Sequence, residues 1–314
     1  MTAEMRRRGG KSGVSFVDIR SQCLRTRCIS GVVLEDLRRG SLRAYLKCLV
    51  KVIEQQLCSL PTSSMKFSWR LPRGIYPSGA KRLKLLSSME EVSEGEQINL
   101  IQVPMKVLDD LNVCEMRAKL RSEPYIKGKA TIHEELGKAW WKKISERICS
   151  DIISCLRIGG KILDSWLEVD LVLTYKGAKL AIDLHGRADI VTFASIECTS
   201  DSIPLIALFE FTIYREALNV IVERVIAYAS ALYSHYGFLV LPIIAIIKDL
   251  NDKVTLDGMF MLQNDNPLGF SSLLLNKLRR LEKILLDEVR VRKAPEDLCA
   301  FCDVDLRKRC PYFK

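Results

Sequence analysis

The sequence predicts a mixed α/β fold in which helices pack on a β-sheet. Three observations predict it. Short, apolar and often β-branched runs follow one another between residues 167 and 213, as in a set of antiparallel strands. Residues 238–247 form a continuous apolar run, as expected of a central strand that is buried on both sides. The segments around these runs repeat apolar residues at helical spacing, so helices are expected to cover the sheet.

The predicted elements follow these local patterns. Apolar residues at helical spacing predict helices over residues 32–60 (one or two helices), 103–121, 132–156, 214–236 and 270–291. Short apolar runs predict strands over residues 167–175, 179–185, 188–194, 205–213, 238–247 and 254–262. Turn residues at 175–178 and at His185 and Gly186 predict two hairpin turns. Residues 61–95, rich in Pro, Gly, Ser and charge, predict an irregular or linking segment.

The chain of 314 residues is long enough for one large domain or two modest ones. The composition changes near residue 100. We therefore predict a basic, partly helical N-terminal region at residues 1–100 and the α/β domain at residues 101–314. The longest apolar run is shorter than the about 20 residues that cross a bilayer. The basic N-terminus lacks the apolar core of a secretory signal. These features predict a cytoplasmic protein without a membrane segment.

The positive charge of the chain is concentrated at its N-terminal end. The formal net charge is +10; residues 1–100 hold 18 Lys and Arg against 9 Asp and Glu, and residues 101–314 hold 30 against 29. A basic block beside a nearly neutral body suggests an arm that binds a polyanion, and nucleic acid is the usual polyanion. A basic surface that serves only solubility fits the charge equally well.

Three cysteines lie close together at the C-terminus. Cys299, Cys302 and Cys310 form a C-x2-C-x7-C pattern in a charged segment, which is typical of thiolates that share one metal centre. A closed site needs a fourth ligand, and Cys114, at the end of a predicted helix, is the best candidate. Zinc and an iron–sulfur cluster both fit thiolate ligands. The remaining cysteines fall mostly in apolar patterns typical of core residues, among them Cys48, Cys149, Cys155 and Cys198.

Two acidic residues stand at the ends of neighbouring predicted strands. Asp189 follows a predicted turn, and Glu210 closes the apolar run of residues 203–209. A carboxylate after so apolar a strand is either paired or a ligand. Carboxylates that hold a hard divalent cation are a common arrangement for nucleic-acid hydrolysis. His133, on the preceding predicted helix, could add a nitrogen ligand.

Taken in chain order, these residues resemble the CRISPR-associated RecB-type exonucleases, a family of the PD-(D/E)xK nuclease superfamily. The likeness covers residues 103–314, and the cysteine arrangement is its most specific part. It is carried by motif order: Cys114, His133, Gly-Arg-Ala-Asp189, Glu210-Phe-Thr212, Arg224-x3-Tyr228 and the C-terminal cysteines.

The resemblance implies a nuclease fold, two metal centres and a biological task. The early cysteine and the three late ones would hold an iron–sulfur cluster, [4Fe–4S] or alternatively [2Fe–2S], which acts as a clasp for the C-terminal tail. Mg²⁺ or Mn²⁺ would be bound by His133, Asp189, Glu210 and the carbonyl of Phe211, and Tyr228 would position DNA. The family trims DNA ends, with single-stranded ends the expected substrate here, during CRISPR spacer acquisition beside the integrase. An oligomer is compatible with this task.

Two positions depart from the family pattern. The lysine of the E-x-K motif falls on Thr212, which has no charge to offset the negative charge that develops on the substrate. The glutamine four residues before the tyrosine is Arg224. Arg224 or Arg215 could supply the missing charge, although neither stands at the matching place in the sequence.

Three functions are compatible with this sequence. The first is a metal-dependent DNA exonuclease with a structural iron–sulfur cluster. The second is a catalytically weakened member of the family that binds DNA or the integrase without cutting, as the two departures suggest. The third is a zinc-stabilised nucleic-acid-binding module, suggested by the cysteines and the basic N-terminal region.

Overall fold

The computed structural model describes most of the chain between residues 14 and 313. The described residues are 14–26, 31–57, 84–90, 99–123, 132–156, 160–197, 202–213, 218–249, 254–264, 269–294, 299, 302 and 304–313. The strands are β1 (Val14–Asp18), β2 (Lys84–Glu90), β3 (Asn99–Pro104), β4 (Gly160–Lys176), β5 (Leu180–Glu197), β6 (Ser202–Thr212), β7 (Leu239–Asp249) and β8 (Thr255–Asn264). The helices are α1 (Ile19–Thr26), α2 (Gly31–Arg38), α3 (Leu42–Leu57), α4 (Lys106–Val113), α5 (Glu115–Ser122), α6 (Ile132–Leu156), α7 (Leu218–Tyr236), α8 (Gly269–Leu285) and α9 (Val304–Arg309).

One mixed sheet of eight strands runs through the described part of the chain. Its order is β1-β8-β7-β6-β5-β4-β2, and β3 pairs with β5 beside this path. The pairs β4–β5, β5–β6, β7–β8 and β1–β8 are antiparallel, whereas β2–β4, β3–β5 and β6–β7 are parallel. The parallel pair β6–β7 is joined through α7, because parallel neighbours need a crossover connection. The predicted mixed α/β sheet is confirmed.

Helices cover both faces of the sheet and form two apolar cores. On one face, the side chains of α4, α7 and α8 pack against β4, β5 and β6. On the other face, α1, α3 and α6 pack against β5 to β8. Successive residues of β6 alternate between the two cores, as the period of a strand requires: Leu208 belongs to the first and Phe209 to the second. The sheet is therefore the middle layer of three.

The first described residues belong to the same sheet and core as the rest of the molecule. β1 pairs along β8, and α3 places Tyr45, Leu49 and Ile53 in the core that also contains Ile148 of α6. The described residues on either side of position 100 thus share one sheet and one core. None of the helices that the structure describes is long and apolar enough to cross a membrane.

Several local predictions were wrong because pairing between distant segments decides them. The predicted turn at His185 and Gly186 does not form, since β5 continues through both residues with β4 hydrogen-bonded along one side. Lys84–Glu90 is a strand inside the segment that was predicted to be irregular, because it pairs in parallel with β4. Lys84–Glu90 and β4 lie far apart in sequence, so no local pattern reveals their pairing.

The predicted single helix over residues 103–121 is instead a strand end followed by two helices. β3 extends to Pro104, and the helices α4 and α5 meet at Cys114. Cys114 has extended backbone angles (φ −155°, ψ 111°), which no helical residue adopts. Its N–H still donates to the carbonyl of Asp110, so the chain turns sharply between the two helices. This break gives Cys114 a different direction from the helix before it.

We predict that Gly40→Ala destabilises the fold more than Gly237→Ala. Both glycines have positive φ, 81° and 69°, so alanine is strained at either position by about 1–2 kcal/mol. A Cβ atom at Gly40 would also overlap the carbonyl oxygen of Leu256, whereas a Cβ atom at Gly237 meets nothing within 4 Å. Urea unfolding should show a loss of at least about 3 kcal/mol for the first variant and about 1 kcal/mol for the second. Equal losses would contradict the packing argument.

Candidate active site and cysteine pocket

Asp189 and Glu210 lie side by side on neighbouring antiparallel strands. Asp189 is on β5 and Glu210 is on β6, and the register pairs Ile190 with Phe209. The backbone N–H of Phe211 donates to Oδ2 of Asp189 at 2.8 Å. The strand pairing thus brings together two carboxylates that are separated by 20 residues in the sequence.

The sheet is irregular at the position of Asp189. Opposite it on β4 lies Glu168, a non-glycine residue with φ of 49°. Trp166 and Val169 of β4 pack toward the same core although they are three residues apart, and Ala188 and Val191 of β5 do the same. In both strands, the alternation of side chains between the two faces of the sheet is therefore interrupted here. Positive φ at a bulky residue is costly and often accompanies functional sites.

Arg224 of α7 connects the carboxylate pair to a third acid. Its Nη1 lies 2.6 Å from Oε1 of Glu210, and its Nε lies 2.9 Å from Oδ2 of Asp109, on α4. Asp109 is 6% exposed and Glu210 is 3% exposed. Asp109 was not predicted as a site residue from the sequence. Its only signal there is an Asp109-Asp110 pair within an apolar helical pattern, which does not indicate which face is buried.

The buried carboxylates hold more negative charge than the local cation offsets. Burial raises the pKa of Asp189 well above its ordinary value, and the neighbouring charge of Glu210 raises it further. Burial also raises the pKa of Glu210, against the opposing effect of Arg224. Burial raises the pKa of Asp109 to about 7. When all three acids are ionised, the three carboxylates and one guanidinium carry a net charge of −2.

An acceptor atom in this cluster has no protein partner. Within the described part of the chain, Oε2 of Glu210 is buried and accepts no hydrogen bond. A buried carboxylate oxygen without a partner is unfavourable unless a proton or a cation reaches it. The excess of negative charge and this oxygen without a partner fit a divalent cation with oxygen ligands.

Tyr228 is buried beside the carboxylates. It is 2% exposed, its hydroxyl lies 3.5 Å from Nη1 of Arg224, and the guanidinium lies 5.9 Å from its ring centre. Burial raises the pKa of its hydroxyl. A Cβ atom at Gly186 would lie 2.6 Å from Cε1 of Tyr228, so only glycine fits against this ring. The tyrosine therefore packs over β5 and contacts Arg224.

The other predicted site residues lie only partly within the described part of the chain. Thr212 lies two residues after Glu210 on β6, so both share one face of the sheet. The ring of Phe211 packs on Trp141 of α6, with 5.5 Å between ring centres. The side chain of His133, in the first turn of α6, and the whole of Arg215 lie outside the described residues.

All four predicted cysteines line one pocket. The pocket has about 400 Å³ of empty volume, which includes the solvent at its open mouth, and its wall includes Cys114, Cys299, Cys302 and Cys310. None of the four is in a disulfide bond, and all four are partly exposed. By contrast, Cys48, Cys149 and Cys155 are buried core residues as predicted, and Cys198 lies outside the described residues.

The C-terminal tail returns to the helix break at Cys114. Leu306 of α9 packs on Met116 and Leu120 of α5 in a small apolar cluster, which Cys302 and Cys310 flank. The N–H of Cys302 donates to the carbonyl of Cys299 at 3.1 Å, which closes the turn of the C-x2-C pair. Arg117 and Arg307 also line the pocket and bring positive charge toward the thiols.

A buried glutamate fixes the chain on both sides of the pocket. Glu115, 2% exposed, accepts two hydrogen bonds from the Arg280 guanidinium and three from the guanidinium and backbone N–H of Arg292. The N–H of Glu115 donates to the carbonyl of Arg292 at 3.1 Å. Because Arg292 lies just before the tail, Glu115 fastens that segment next to Cys114. Asp110 is similarly paired with Arg117 and Arg121.

The described residues contain no group of three or more His, Cys, Asp and Glu side chains that could hold a metal ion. The cysteines nevertheless share a pocket wall, and Asp109 and Glu210 share Arg224 beside Asp189. The first arrangement offers soft thiolate ligands and the second offers hard oxygen ligands, which suit different metals.

Comparisons with known proteins give no family for this chain. No protein-family model matches it, and no curated protein matches it. Among solved structures, the archaeal protein SSO0001 is similar over 71% of this chain and 91% of its own, with 16% sequence identity and a TM-score of 0.35.

We predict that Glu115→Gln destabilises the protein by about 3 kcal/mol at pH 7, because charged hydrogen bonds from two arginines are lost. Burial alone would raise the pKa of Glu115, but the bonds from Arg280 and Arg292 outweigh it and lower the pKa to about 2. The ionised form therefore adds stability that is complete above pH 4.5 and is lost as the pH falls toward 2.

The measurement is urea unfolding at several pH values, with Glu35→Gln as the matched control. Glu35 pairs with Arg39 on the surface, where an ion pair contributes less than about 1 kcal/mol. The loss for Glu115→Gln should shrink at acid pH. Equal effects of the two variants would contradict the role of Glu115 as a buried anchor.

Proposed function

We propose that this protein is a metal-dependent deoxyribonuclease of the PD-(D/E)xK type, which trims DNA ends and carries a structural iron–sulfur cluster. The observation that carries the proposal is the buried pair of Asp189 and Glu210. Its negative charge exceeds the positive charge beside it, and one carboxylate oxygen has no hydrogen-bond partner among the described residues. Antiparallel strands β4 to β6, followed by α7 and the parallel strand β7, support the nuclease core. Single-stranded DNA ends are the proposed substrate.

The residues present fit a divalent cation. Asp189 and Oε2 of Glu210 would hold it, and His133 and the carbonyl of Phe211 are the further proposed ligands. Mg²⁺ or Mn²⁺, when bound, lowers the pKa of an attacking water and polarises the scissile phosphate. A hard cation at these oxygens would also offset the negative charge of the buried acids.

The other side chains of the site have positioning roles in this proposal. Phe211 fixes Asp189 through its backbone N–H, and its ring is held by Trp141. Tyr228 packs on Gly186 of β5 and contacts the guanidinium of Arg224. A rigid arrangement of this kind holds the reacting groups in place and excludes water from around them.

The four cysteines fit a cluster that fastens the tail. Four thiolates around one pocket match the ligand set of a [4Fe–4S] or a [2Fe–2S] cluster. Arg117 and Arg307 would offset the negative charge of such a cluster. The cluster would add to the contacts that already join α9 to α5.

A second candidate function is a DNA- or integrase-binding subunit that does not cut. The ion pair between Arg224 and Glu210 favours it, because a guanidinium already occupies one carboxylate oxygen of the proposed metal site. Thr212 favours it as well, since a threonine offers no charge. In both candidates, the basic residues 1–100 are proposed to contact the DNA backbone.

We predict that the purified protein digests end-labelled single-stranded DNA in the presence of Mn²⁺ or Mg²⁺, and that EDTA abolishes digestion. Asp189→Asn should lower the rate at least about a hundredfold, because it removes a ligand of the cation. Asp183→Asn is the matched control on the same strand, where the acid bonds only to Thr174 among the contacts described. No digestion would support the non-cutting candidate, and digestion that survives Asp189→Asn would contradict Asp189 as a ligand of the catalytic cation.

We predict that anaerobically purified protein is brown and contains iron and sulfide. Cys302→Ala should lose most of the iron, whereas Cys149→Ala, a buried cysteine in the other core, should keep it. Visible absorption and assays for iron, sulfide and zinc provide the measurement. A colourless protein that contains zinc would exclude the iron–sulfur cluster and favour a zinc-stabilised nucleic-acid-binding module.

A further inference from the structure

The guanidinium of Arg224 binds two carboxylates from two different elements. Nη1 reaches Glu210 on β6 at 2.6 Å, and Nε reaches Asp109 on α4 at 2.9 Å. The guanidinium is planar and its donors are fixed in direction, so two partners define its position better than one. Because α7 packs over the sheet, a side chain from this helix points at the strand end where the acids lie.

Position 212 is the other place from which a cation could reach Glu210. Residues 210 and 212 share one face of β6, so a long basic side chain at position 212 would lie beside the same carboxylate. The residue present is threonine, which carries no charge. The positive charge next to Glu210 therefore comes from the helix instead of from the strand.

We infer that Arg224 supplies the fixed positive charge of the active site, in place of a lysine at position 212, and that Asp109 is the residue that positions it. This inference rests on the proposed nuclease function. The charge count supports it: with the three acids ionised, as when a cation is bound, Asp109, Asp189, Glu210 and Arg224 together carry −2, which one divalent cation neutralises. A lysine in addition to Arg224 would leave −1 and would oppose the cation.

Asp109 keeps Arg224 from neutralising Glu210 completely. Glu210 has one oxygen bonded to the guanidinium and one without a hydrogen-bond partner among the described residues, while Asp109 bonds to the opposite side of the guanidinium. The guanidinium is thus shared between two acids, and Glu210 keeps one oxygen for a further cation. Without Asp109, the guanidinium would pair with Glu210 alone.

The chemical role of Arg224 follows from its fixed position. In phosphodiester hydrolysis, water oxygen forms a bond to phosphorus and releases a proton to solvent. The bond from phosphorus to the departing oxygen breaks, and that oxygen takes up a proton from solvent to become a hydroxyl. Negative charge grows on the phosphate oxygens during this exchange. A preorganised guanidinium nearby stabilises that charge, and loss of one such group typically lowers the rate about 100- to 1,000-fold.

The test compares the full-length wild type with R224Q, R224K, T212K, T212K/R224Q and D109N. The control is R43Q, because Arg43 pairs with Asp151 in the opposite helix layer. Two quantities are measured at pH 8: the dissociation constant of Mn²⁺ and the single-turnover rate of digestion of end-labelled single-stranded DNA at saturating Mn²⁺. Thermal unfolding of each variant verifies that it is folded.

The inference expects opposite changes in affinity and rate. R224Q should bind Mn²⁺ several-fold more tightly, because a like charge is gone, and should digest DNA about 100-fold more slowly. T212K/R224Q should recover the rate to within about tenfold, since the charge returns from the strand. R224K should fall between wild type and R224Q. D109N should weaken Mn²⁺ binding. If D109N only disrupted Arg224, it would instead tighten Mn²⁺ binding, as R224Q does.

Two results separate the inference from the proposed function. An active wild type whose R224Q variant is equally active at saturating Mn²⁺ overturns the inference and leaves the nuclease function intact. An inactive wild type overturns the nuclease function. In that case the inference depends on the Mn²⁺ dissociation constants, and it is overturned if R224Q and D109N do not shift them in opposite directions.

Discussion

The antiparallel pairing of β4 with β5 is the constraint on which the rest of the structure depends. β5 is long enough to bind β3 along residues 180–185 and β6 along residues 190–197, while β4 covers its other edge. β3 leads directly into α4 and Cys114, and β6 carries Glu210. One strand ladder therefore sets the position of the carboxylate cluster and of the helix break that begins the cysteine pocket.

Burial of the carboxylate cluster lowers the stability of the fold, as is common at functional sites. Three acids are buried beside one guanidinium, which pairs with two of them. Burial raises the pKa of each acid, so ionising all three is unfavourable. Apolar side chains of similar size would pack there without this cost. Clusters with pKa values displaced by burial and like charge occur most often where a ligand or a reaction needs them.

The two sites share one support. Asp109 of α4 faces Arg224, and the next residue, Asp110, is paired with Arg117 and Arg121 of α5. A few residues later Cys114 enters the cysteine pocket, and Glu115 fastens the segment before the tail. Because two short helices carry all these contacts, the packing of the tail and the placement of Asp109 have the same structural basis.

The sequence by itself determined the elements whose signals are local. The period of apolar residues was enough to predict α6, α7 and α8 and the strands β4 to β8, although it divided β5 in two. The spacing of Cys299, Cys302 and Cys310 predicted a shared site, and the structure places them with Cys114 around one pocket. Glu210 was visible for a similar reason, since it closes an apolar run, whereas the turn that was predicted before Asp189 does not form.

Only the tertiary structure decided the features that depend on distant partners. β2 and β3 exist because β4 and β5 offer open edges, and the helix break at Cys114 depends on the tail and on Arg292. Asp109 looks like any helical acid until α4 packs against α7 and brings it to Arg224. Whether the charge beside Glu210 comes from position 212 or from position 224 is likewise set by packing. Spacing along the chain shows which residue types are present, but burial and the approach of other elements decide which of them meet.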